Sequence, residues 1–370
     1  MNLKLENQMA KKKYKYMLIT RTLSDGGAER FVATFSDYLA QRGEKVYVVC
    51  WNRSENEYSV GEKAKLMYLP EHKDNVLRKA HRIIDVRTII KQVNPDFVIP
   101  FMEGVIFCAM LSLVGKNGKL IYTQRNSPWY TKNMSLYAQL LRYIVVRKAD
   151  AIMTQTKDQA IYFDKQKKKV WIVPNPVNAA FFEVKKEKYS NRIEKLIMVG
   201  RLSEEKNYEL ALRCYKRLHV LYPKLELEIY GEGPEKGRLL KLIEELQVTK
   251  TCRLMGRSNN VERKMINADL YLLTSSTEGM PNALMEAMAL GIPSISSDCK
   301  TGPSDLIVPE ITGMLFKNED MESLFEKIEF MIRNPDKARD MGINGRNFMM
   351  ENYTLDNTYK CFIRMCDGIN

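Results

Sequence analysis

The sequence KLIMVGRLSEEKNYELALRCYKRLHVL, residues 195–221, contains a complete strand, loop and helix. Its first residues, Lys195–Val199, form an apolar run of strand length, whereas Asn207–Leu221 repeats apolar side chains at helical spacing. Asn207, at the end of the intervening loop, is a suitable capping residue for this helix. A strand followed at once by a helix is typical of parallel sheets, so this stretch predicts an α/β architecture.

The same alternation of strand and helix patterns continues along the chain. Strands are predicted at Tyr16–Thr20, Lys45–Trp51, Lys65–Leu69, Phe97–Phe101, Leu120–Thr123, Ala151–Thr154, Val170–Val173, Lys195–Val199, Leu225–Tyr230, Cys252–Met255, Leu270–Thr274, Ile292–Ser296 and Met314–Phe316. Helices are predicted at Ala28–Gln41, Asn75–Val93, 104–114, 134–148, 157–166, Asn207–Leu221, Pro234–Leu246, Val261–Asn267, Pro281–Leu290, Met321–Asn334, Pro335–Glu351 and Leu355–Met365. This order predicts two Rossmann-like αβα domains that face each other across a cleft.

The domain boundary is predicted at the sequence PNPV, residues 174–177. Two prolines in three residues can continue neither a helix nor a central strand, and they stiffen a connection. The prediction assigns residues 1–175 to the first domain, residues 176–352 to the second and residues 353–370 to a C-terminal helix.

The composition indicates a folded protein that stays in the cytoplasm. The chain has 370 residues, of which 45% are hydrophobic and 28% charged, and it is too apolar to be disordered. The longest apolar run, Val105–Val114, is far shorter than the ~20 residues of a membrane-spanning helix. The charged segment Met1–Lys15 lacks the apolar core of a signal peptide.

Metal-binding and disulfide-forming patterns are missing from the sequence. The seven cysteines form no Cys-x-x-Cys pair, so we expect reduced, buried thiols. No two of the three histidines share a helical turn, and no Asp-x-Asp sequence occurs. We therefore expect neither a zinc site nor any other bound metal.

The positive charge is concentrated in the first half of the chain. The net charge is +13, with +14 in residues 1–175 and −1 in residues 176–370. This asymmetry indicates an anionic partner for the first half: nucleic acid, an anionic membrane surface or a phosphorylated substrate. No nucleic-acid partner is expected, because neither a known binding module nor aromatic residues interleaved with Lys and Arg are found.

Two loops have residues suited to binding phosphate. The sequence SDGGAER, residues 24–30, joins a strand to a helix, and its glycines allow a ligand close to the helix N-terminus. The sequence GRLSEEKN, residues 200–207, places Arg201 and Lys206 at the end of a strand, where they could hold a pyrophosphate. An ordinary turn and a solvated surface loop are the alternative interpretations.

The sequence GEGP, residues 231–234, resembles part of a dinucleotide-binding fingerprint. Its third glycine, Gly237, comes one residue too late, and no acidic partner for a ribose follows at the expected place. The pattern therefore gives only weak support to an NAD site.

The sequence TEGMPNALME, residues 277–286, is the most informative motif. Glu278 lies in a Gly/Pro loop just before a helix, and Glu286 lies within that helix. Free N–H groups of the loop and first turn could receive a phosphate or sugar oxygen. Glu286 is flanked by apolar residues, so it is either a buried carboxylate that needs a specific partner or a charge on a solvated face.

Taken together and in this order, these four motifs resemble those of retaining GT-B glycosyltransferases of family 4, of the bacterial polysaccharide type. The resemblance covers both halves of the chain and is strongest over Ile197–Gly313. It implies an acceptor-side first domain, a second domain that binds the nucleotide sugar, and a last helix that crosses back to the first domain.

The resemblance also implies a role for individual residues. Arg201 and Lys206 would clamp the donor diphosphate in place of a metal, so no cofactor is expected. Glu278 would contact the donor sugar, and Glu286 would accept hydrogen bonds from the ribose. Further donor contacts are expected from Gly26, Gly27, Gly200, Gly231, Arg257, Met280, Asn282 and Ala283.

One position departs from the pattern of many relatives. They have a histidine after the strand that corresponds to Leu120–Thr123, where this chain has Gln124-Arg125-Asn126-Ser127. A His-based acid/base role is therefore in doubt. Arg125 is expected instead to be a fixed catalytic cation near the transferred sugar or the leaving phosphate.

The expected activity is that of a hexosyltransferase using a UDP- or GDP-sugar, in bacterial capsule, O-antigen or exopolysaccharide synthesis. The basic, amphipathic segments Asn75–Val93 and Met134–Lys148, with the basic run Lys165–Lys169, suit an anionic bilayer and a polyprenyl-diphosphate-linked glycan acceptor. A peripheral location on the inner face of the cell membrane follows. The alternative for both helices is a core position with solvated basic edges.

Three other functions remain open at this point. A GT-B sugar-nucleotide epimerase would need no acceptor, and a glycogen-type synthase would use soluble glucan. A basic nucleic-acid-binding protein would also explain the positive charge, although nothing else in the sequence favours it.

Overall fold

A computed structural model describes residues 13–24, 26–72, 78–129, 134–164, 170–184, 186, 189–258 and 260–369. Within these residues, two parallel sheets are each covered by helices on both faces. The predicted basic run Lys165–Lys169 and the first residues of the predicted helix Asn75–Val93 lie outside the described part.

The first sheet has seven parallel strands in the order β3-β2-β1-β4-β5-β6-β7. The strands are β1 Lys15–Thr20, β2 Lys45–Cys50, β3 Lys65–Tyr68, β4 Phe97–Pro100, β5 Lys119–Thr123, β6 Ala151–Thr154 and β7 Val170–Ile172. The helices that follow them are α1 Gly27–Gln41, α2 Arg78–Val93, α3 Glu103–Ser112, α4 Leu136–Lys148 and α5 Lys157–Asp164. Strands such as β4 and β6 are buried along their whole length, as expected when helices cover both faces of a sheet.

The second sheet has six parallel strands in the order β10-β9-β8-β11-β12-β13. They are β8 Lys195–Val199, β9 Glu226–Tyr230, β10 Cys252–Gly256, β11 Leu270–Leu273, β12 Ser294–Asp298 and β13 Met314–Lys317. The helices are α6 Ala179–Glu183, α7 Tyr208–Leu221, α8 Lys236–Glu245, α9 Val261–Met265, α10 Asn282–Ala289, α11 Pro303–Leu306, α12 Met321–Arg333, α13 Pro335–Asn352 and α14 Leu355–Gly368, and a 3₁₀ turn covers Glu204–Lys206.

Each predicted strand is present, with ends that differ from the prediction by at most two residues. β12 starts at Ser294 rather than Ile292, because Pro293 has no N–H group to donate to the sheet. The sequence does not predict the short helices α6 and α11 or the 3₁₀ turn, because about one turn shows no clear helical periodicity and no strong start or stop signal flanks them.

The last helix, α14, returns to the first domain. Its Phe362 packs against Tyr16 and Phe35, with ring centroids 5.3 and 5.1 Å apart. The Thr358 hydroxyl donates to the Pro174 carbonyl at 3.1 Å, next to the connection between the sheets. The predicted fold of two Rossmann-like domains with a C-terminal helix crossing back is confirmed. The boundaries at residues 175 and 352 remain a prediction.

Both sheets change direction in strand order beside their first strand, at β1/β4 and at β8/β11. In open α/β sheets, ligands bind outside the carboxyl ends of the strands at such a point. The loops that follow β1, β5, β8, β9 and β11 are therefore the places to look for a site. No helix in the described part of the chain is long and apolar enough to cross a membrane.

Candidate active site

Lys206 and Glu278 meet at the carboxyl edge of the second sheet. Lys206 ends the 3₁₀ turn after β8, and Glu278 lies in the loop after β11. The Lys206 Nζ lies 2.5 Å from the Glu278 Oε1, which also accepts a hydrogen bond from the Ser275 hydroxyl at 2.7 Å. Both side chains are largely buried, so the predicted diphosphate clamp and the predicted sugar-binding carboxylate neutralise each other.

The glycines of the GEGP sequence serve loop packing. Gly231 has φ +149°, and a Cβ atom there would lie 1.9 Å from the Gly200 carbonyl oxygen. A Cβ at Gly233 would lie 2.3 Å from the carbonyl oxygen of Leu202. These glycines let the loops after β8 and β9 touch, which holds the Arg201–Lys206 loop against its neighbour.

Arg201 lies at the open side of this loop. Its side chain is exposed, and within the described residues no ion pair occupies it. An exposed guanidinium beside a buried lysine is suited to the outer oxygens of a phosphate. Arg257, which follows β10, is also exposed, as expected for a residue along a bound base.

Glu286 forms an ion pair across the cleft that the sequence does not predict. This carboxylate on α10 is only 5% exposed, and its partner is Arg30 on α1 of the first domain. Burial raises the pKa of Glu286, and the positive charge of Arg30 opposes this rise. Arg30 belongs to the GGAER sequence, which already indicates a phosphate-binding turn. The sequence does not indicate that its partner is Glu286, 256 residues away.

Three polar side chains connect the domains beside this ion pair. The Arg125 Nη1 donates to the Asn175 Oδ1 at 2.9 Å, and the Asn175 Nδ2 donates to the Asn282 Oδ1 at 2.8 Å. A Cβ at Gly27 would lie 2.6 Å from the Asn282 Nδ2, so the glycine-rich turn touches the start of α10. Asn175 is therefore a site residue, whereas the sequence pattern places it only in the linker.

The Arg125 guanidinium is packed between aromatic rings. Its Cζ lies 4.1 Å from the Phe31 ring centroid and 4.8 Å from that of Phe101. The buried Nε and Nη2 atoms have no hydrogen-bond partner in the described part of the chain. Burial lowers the pKa of Arg125 to about 9, so the group is still charged at neutral pH. A buried cation with free donors is suited to an anionic ligand.

The backbone of Arg125 also touches the second domain. A Cβ at Gly279 would lie 1.9 Å from the Arg125 carbonyl oxygen. Gly279 therefore contacts the backbone of Arg125, and Glu278 is the residue just before Gly279. Met280 is buried, and its sulfur accepts the Asn175 N–H at 3.3 Å, while Ala283 is half-buried beside Asn282. These contacts thus bring most of the predicted site residues together in one cleft. Arg201 and Arg257 are exposed to solvent. No group of three or more His, Cys, Asp or Glu side chains among the described residues could hold a metal.

Comparisons with known proteins agree with this arrangement. The family model of Glycosyltransferase Family 4 matches residues 25–181, and that of Glycosyl transferases group 1 matches residues 181–348. An uncharacterized glycosyltransferase of Haemophilus influenzae is 27% identical, covering 90% of this chain and 94% of its own length.

The N-acetylgalactosamine-N,N'-diacetylbacillosaminyl-diphospho-undecaprenol 4-alpha-N-acetylgalactosaminyltransferase of Campylobacter jejuni is 27% identical, covering 86% of this chain and 90% of its own length. Among solved structures, sucrose-phosphate synthase of Thermosynechococcus elongatus has a TM-score of 0.83 at 15% identity, covering 96% and 99% of the two chains. Anabaena HepE in complex with UDP has a TM-score of 0.79 at 13% identity, covering 96% and 100%. Since the two family models together span residues 25–348, the chain belongs to the family 4-like glycosyltransferases of the GT-B fold.

Proposed function

We propose that this glycosyltransferase moves a hexose from a UDP- or GDP-sugar to a lipid-linked glycan, with retention of the anomeric configuration, in bacterial surface-polysaccharide synthesis. The observation that carries the proposal is the Arg125 guanidinium, which is buried in the cleft with two donor atoms free. The backbone carbonyl of Arg125 contacts Gly279, the residue that follows Glu278 of the Lys206–Glu278 pair.

On binding, the donor would replace one partner in each of these ion pairs. The diphosphate takes the Lys206 ammonium from Glu278, which frees the carboxylate for hydroxyl groups of the sugar. The ribose hydroxyls donate to Glu286, whose present partner is Arg30. Each buried carboxylate thus keeps a partner in both states, as buried charges require.

The chemical step breaks the bond between the anomeric carbon and the phosphate oxygen. Lys206 and Arg201 stabilise the negative charge that grows on the diphosphate, and Arg125 stabilises it from the first domain. The acceptor oxygen bonds to the anomeric carbon on the same face, and its proton goes to the departing phosphate oxygen. We propose that no metal takes part, because these cations supply the charge stabilisation.

The proposed lipid-linked acceptor rests on the first domain and on relatives. The Campylobacter jejuni relative is named for a diphospho-undecaprenol substrate, and the lipopolysaccharide 1,6-galactosyltransferase of Salmonella typhimurium is 26% identical, covering 79% of this chain and 82% of its own length. The first 175 residues, which would face the acceptor, hold the whole net positive charge of the chain. A diphosphate-linked lipid fits this charge.

Helix α4 is the proposed membrane-facing surface. It exposes a row of apolar side chains, Leu136, Tyr137, Leu140, Tyr143 and Ile144. Arg147 and Lys148 lie in its last turn. Exposed apolar residues beside basic ones are typical of interfacial helices, and they support a location at the inner face of the membrane.

Helix α2 is less suited to this role than its sequence indicated. Its Val86, Ile89, Ile90 and Val93 are buried. The Arg87 Nη1 donates to the carbonyls of Ser112 and Val114, and Arg82 stacks on Trp51 with its Cζ 4.4 Å from the ring centroid. Arg82 and Arg87 thus contact other segments of the protein rather than facing a membrane.

A donor screen tests the proposal. The protein is incubated with UDP-, GDP- and ADP-sugars, with and without a short prenyl-diphosphate disaccharide, and release of nucleoside diphosphate is measured. We expect release from a UDP- or GDP-sugar that increases with the acceptor and gives an α-linked product from an α-linked donor. Conversion of the donor without any acceptor would favour an epimerase, and transfer only to soluble glucan would favour a glycogen-type synthase.

A further inference from the structure

A cavity of about 320 Å³ lies in the first domain between α3 and α4. Its apolar walls come from Ile83, Ile106, Phe107, Tyr122, Leu141 and Val145. At this volume it is at the small end of ligand pockets, which measure ~300–1,000 Å³. We call it the α3–α4 cavity.

The α3–α4 cavity also has charged walls. Lys79, Arg82 and Arg142 line it, together with the single carboxylate of Glu103. Contacts fix the two arginines in place, since Arg82 donates to the Asn52 Oδ1 at 3.1 Å and Arg142 to the Tyr162 hydroxyl at 3.1 Å. Lys79 is exposed to solvent. Among the described residues that line the cavity, three are cationic and one is anionic, so positive charge is in excess beside the apolar walls.

The cavity has one wall at the outer surface and another near the candidate active site. On one side it reaches Tyr137, which is 64% exposed and belongs to the apolar row of α4. On the other side its wall includes Tyr122, whose hydroxyl donates to the Gln124 Oε1 at 2.8 Å. Gln124 directly precedes Arg125, so a hydrogen bond joins this wall of the cavity to the neighbour of a candidate-site residue.

We propose that the α3–α4 cavity holds the first isoprene units of a lipid-diphosphate acceptor, with Lys79, Arg82 and Arg142 around its diphosphate. The inference rests on the proposed function. The apolar walls favour an isoprene chain over a sugar, and the excess of positive charge favours an anionic head group over a neutral lipid. The small volume admits only the start of the chain, and the rest would lie along the apolar row of α4 toward the bilayer.

Gly104 offers a variant that fills the cavity. It lines the cavity, and a Cβ at this position would have no atom within 4 Å. Gly104→Leu therefore places a side chain in open space, and it replaces a helical glycine by a better helix former. Gly237→Leu is the matched control, because Gly237 on α8 of the second domain is equally open and far from the cavity. Ala138→Leu fills the cavity from the opposite wall.

The test is calorimetric titration of these proteins with farnesyl diphosphate and with inorganic pyrophosphate. We expect the wild type and Gly237→Leu to bind farnesyl diphosphate at least tenfold more tightly than pyrophosphate. Gly104→Leu and Ala138→Leu should lose that advantage while keeping the wild-type thermal midpoint. Lys79→Gln should weaken the binding of both ligands.

Two results would overturn the proposal: equal binding of the two ligands by the wild type, or undiminished farnesyl diphosphate binding by a folded, cavity-filled variant. Nucleoside diphosphate binding is measured on the same samples. If it is normal while farnesyl diphosphate fails to bind, only the cavity assignment is wrong. If farnesyl diphosphate binds but no nucleoside diphosphate does, the proposed transferase site is wrong and the cavity assignment stands.

Discussion

The ion pair between Arg30 and Glu286 gives a quantitative prediction for Arg30→Gln. Removing one partner of a buried ion pair costs ~3–5 kcal/mol, because the other charge is left buried and alone. The Glu286 side chain is 5% exposed, whereas that of Arg30 is 31% exposed, so water can partly replace the guanidinium. We therefore expect the free energy of unfolding to fall by about 2–3 kcal/mol at pH 8.

The loss should depend on pH in one direction. Burial already raises the pKa of Glu286 above 4.5, and without Arg30 it rises further. A carboxyl group whose pKa is raised by folding destabilises the folded state when it is charged, and protonation relieves this cost. The difference between wild type and Arg30→Gln should thus be largest at pH 8 and shrink as the pH falls toward 4.5.

Urea unfolding at pH 8 and pH 5 measures both effects. Glu286→Gln and the double variant Arg30→Gln/Glu286→Gln complete a thermodynamic cycle, in which the double variant should be more stable than Arg30→Gln alone at pH 8. Arg213→Gln is the control, because its pair with Glu209 is exposed and should contribute no more than about 0.5 kcal/mol. An equal loss at both pH values, or strictly additive effects in the cycle, would refute the reasoning.

Four further predictions concern binding and activity. Glu286→Ala should weaken nucleoside diphosphate binding about 10–100-fold by calorimetry, since a hydrogen bond to a charged group contributes ~1.5–3 kcal/mol. If this variant binds as tightly as the wild type, Glu286 does not bind the ribose. Glu278→Ala should instead lower kcat more than it weakens binding, and the reverse order would contradict its place at the sugar. Arg125→Met should lower kcat about 10²–10³-fold in a steady-state assay, as removal of a transition-state donor does, and full activity would exclude a catalytic role. Activity should survive excess EDTA, and complete loss that Mn²⁺ restores would contradict charge stabilisation by Arg201 and Lys206.

Membrane binding is a separate prediction, and it is checked by co-sedimentation with vesicles. The wild type should bind anionic vesicles at low salt and should not bind neutral ones. The double variant Arg147→Gln/Lys148→Gln should weaken this binding by ~1 kcal/mol for each charge removed. Wild type that stays in solution with anionic vesicles would remove the support for α4 as a membrane surface.

The strands were predictable because burial on both faces leaves a continuous apolar run in the sequence. β4 and β11 are buried at each position, and no helix pattern competes with such short runs. The same reasoning located the loops of the site, since in a parallel sheet all carboxyl ends lie on one edge. Glu278 and Lys206 could be placed at that edge without knowledge of any contact.

The partners of the site residues could not be predicted. Arg30 and Glu286 lie on different domains, and the relative placement of two domains is set by packing that leaves no periodic signal. Asn175 was noticed only for the prolines beside it, although it bridges Arg125 and Asn282. The basic helices show the same limit, because the sequence does not distinguish Arg87, which holds two backbone carbonyls, from Lys148 on a helix with an exposed apolar row.

Helix α14 affects how the chain folds during synthesis. Because Phe362 and its neighbours complete the core of the first domain, that core stays open on the ribosome until the second domain has been made. At ~5–20 residues per second, the stretch between the end of β7 and the start of α14 takes about 10–40 s to translate. During this interval the apolar surface of Tyr16 and Phe35 is available to chaperones, and in a fragment of residues 1–175 it would stay uncovered unless α14 were added as a separate peptide.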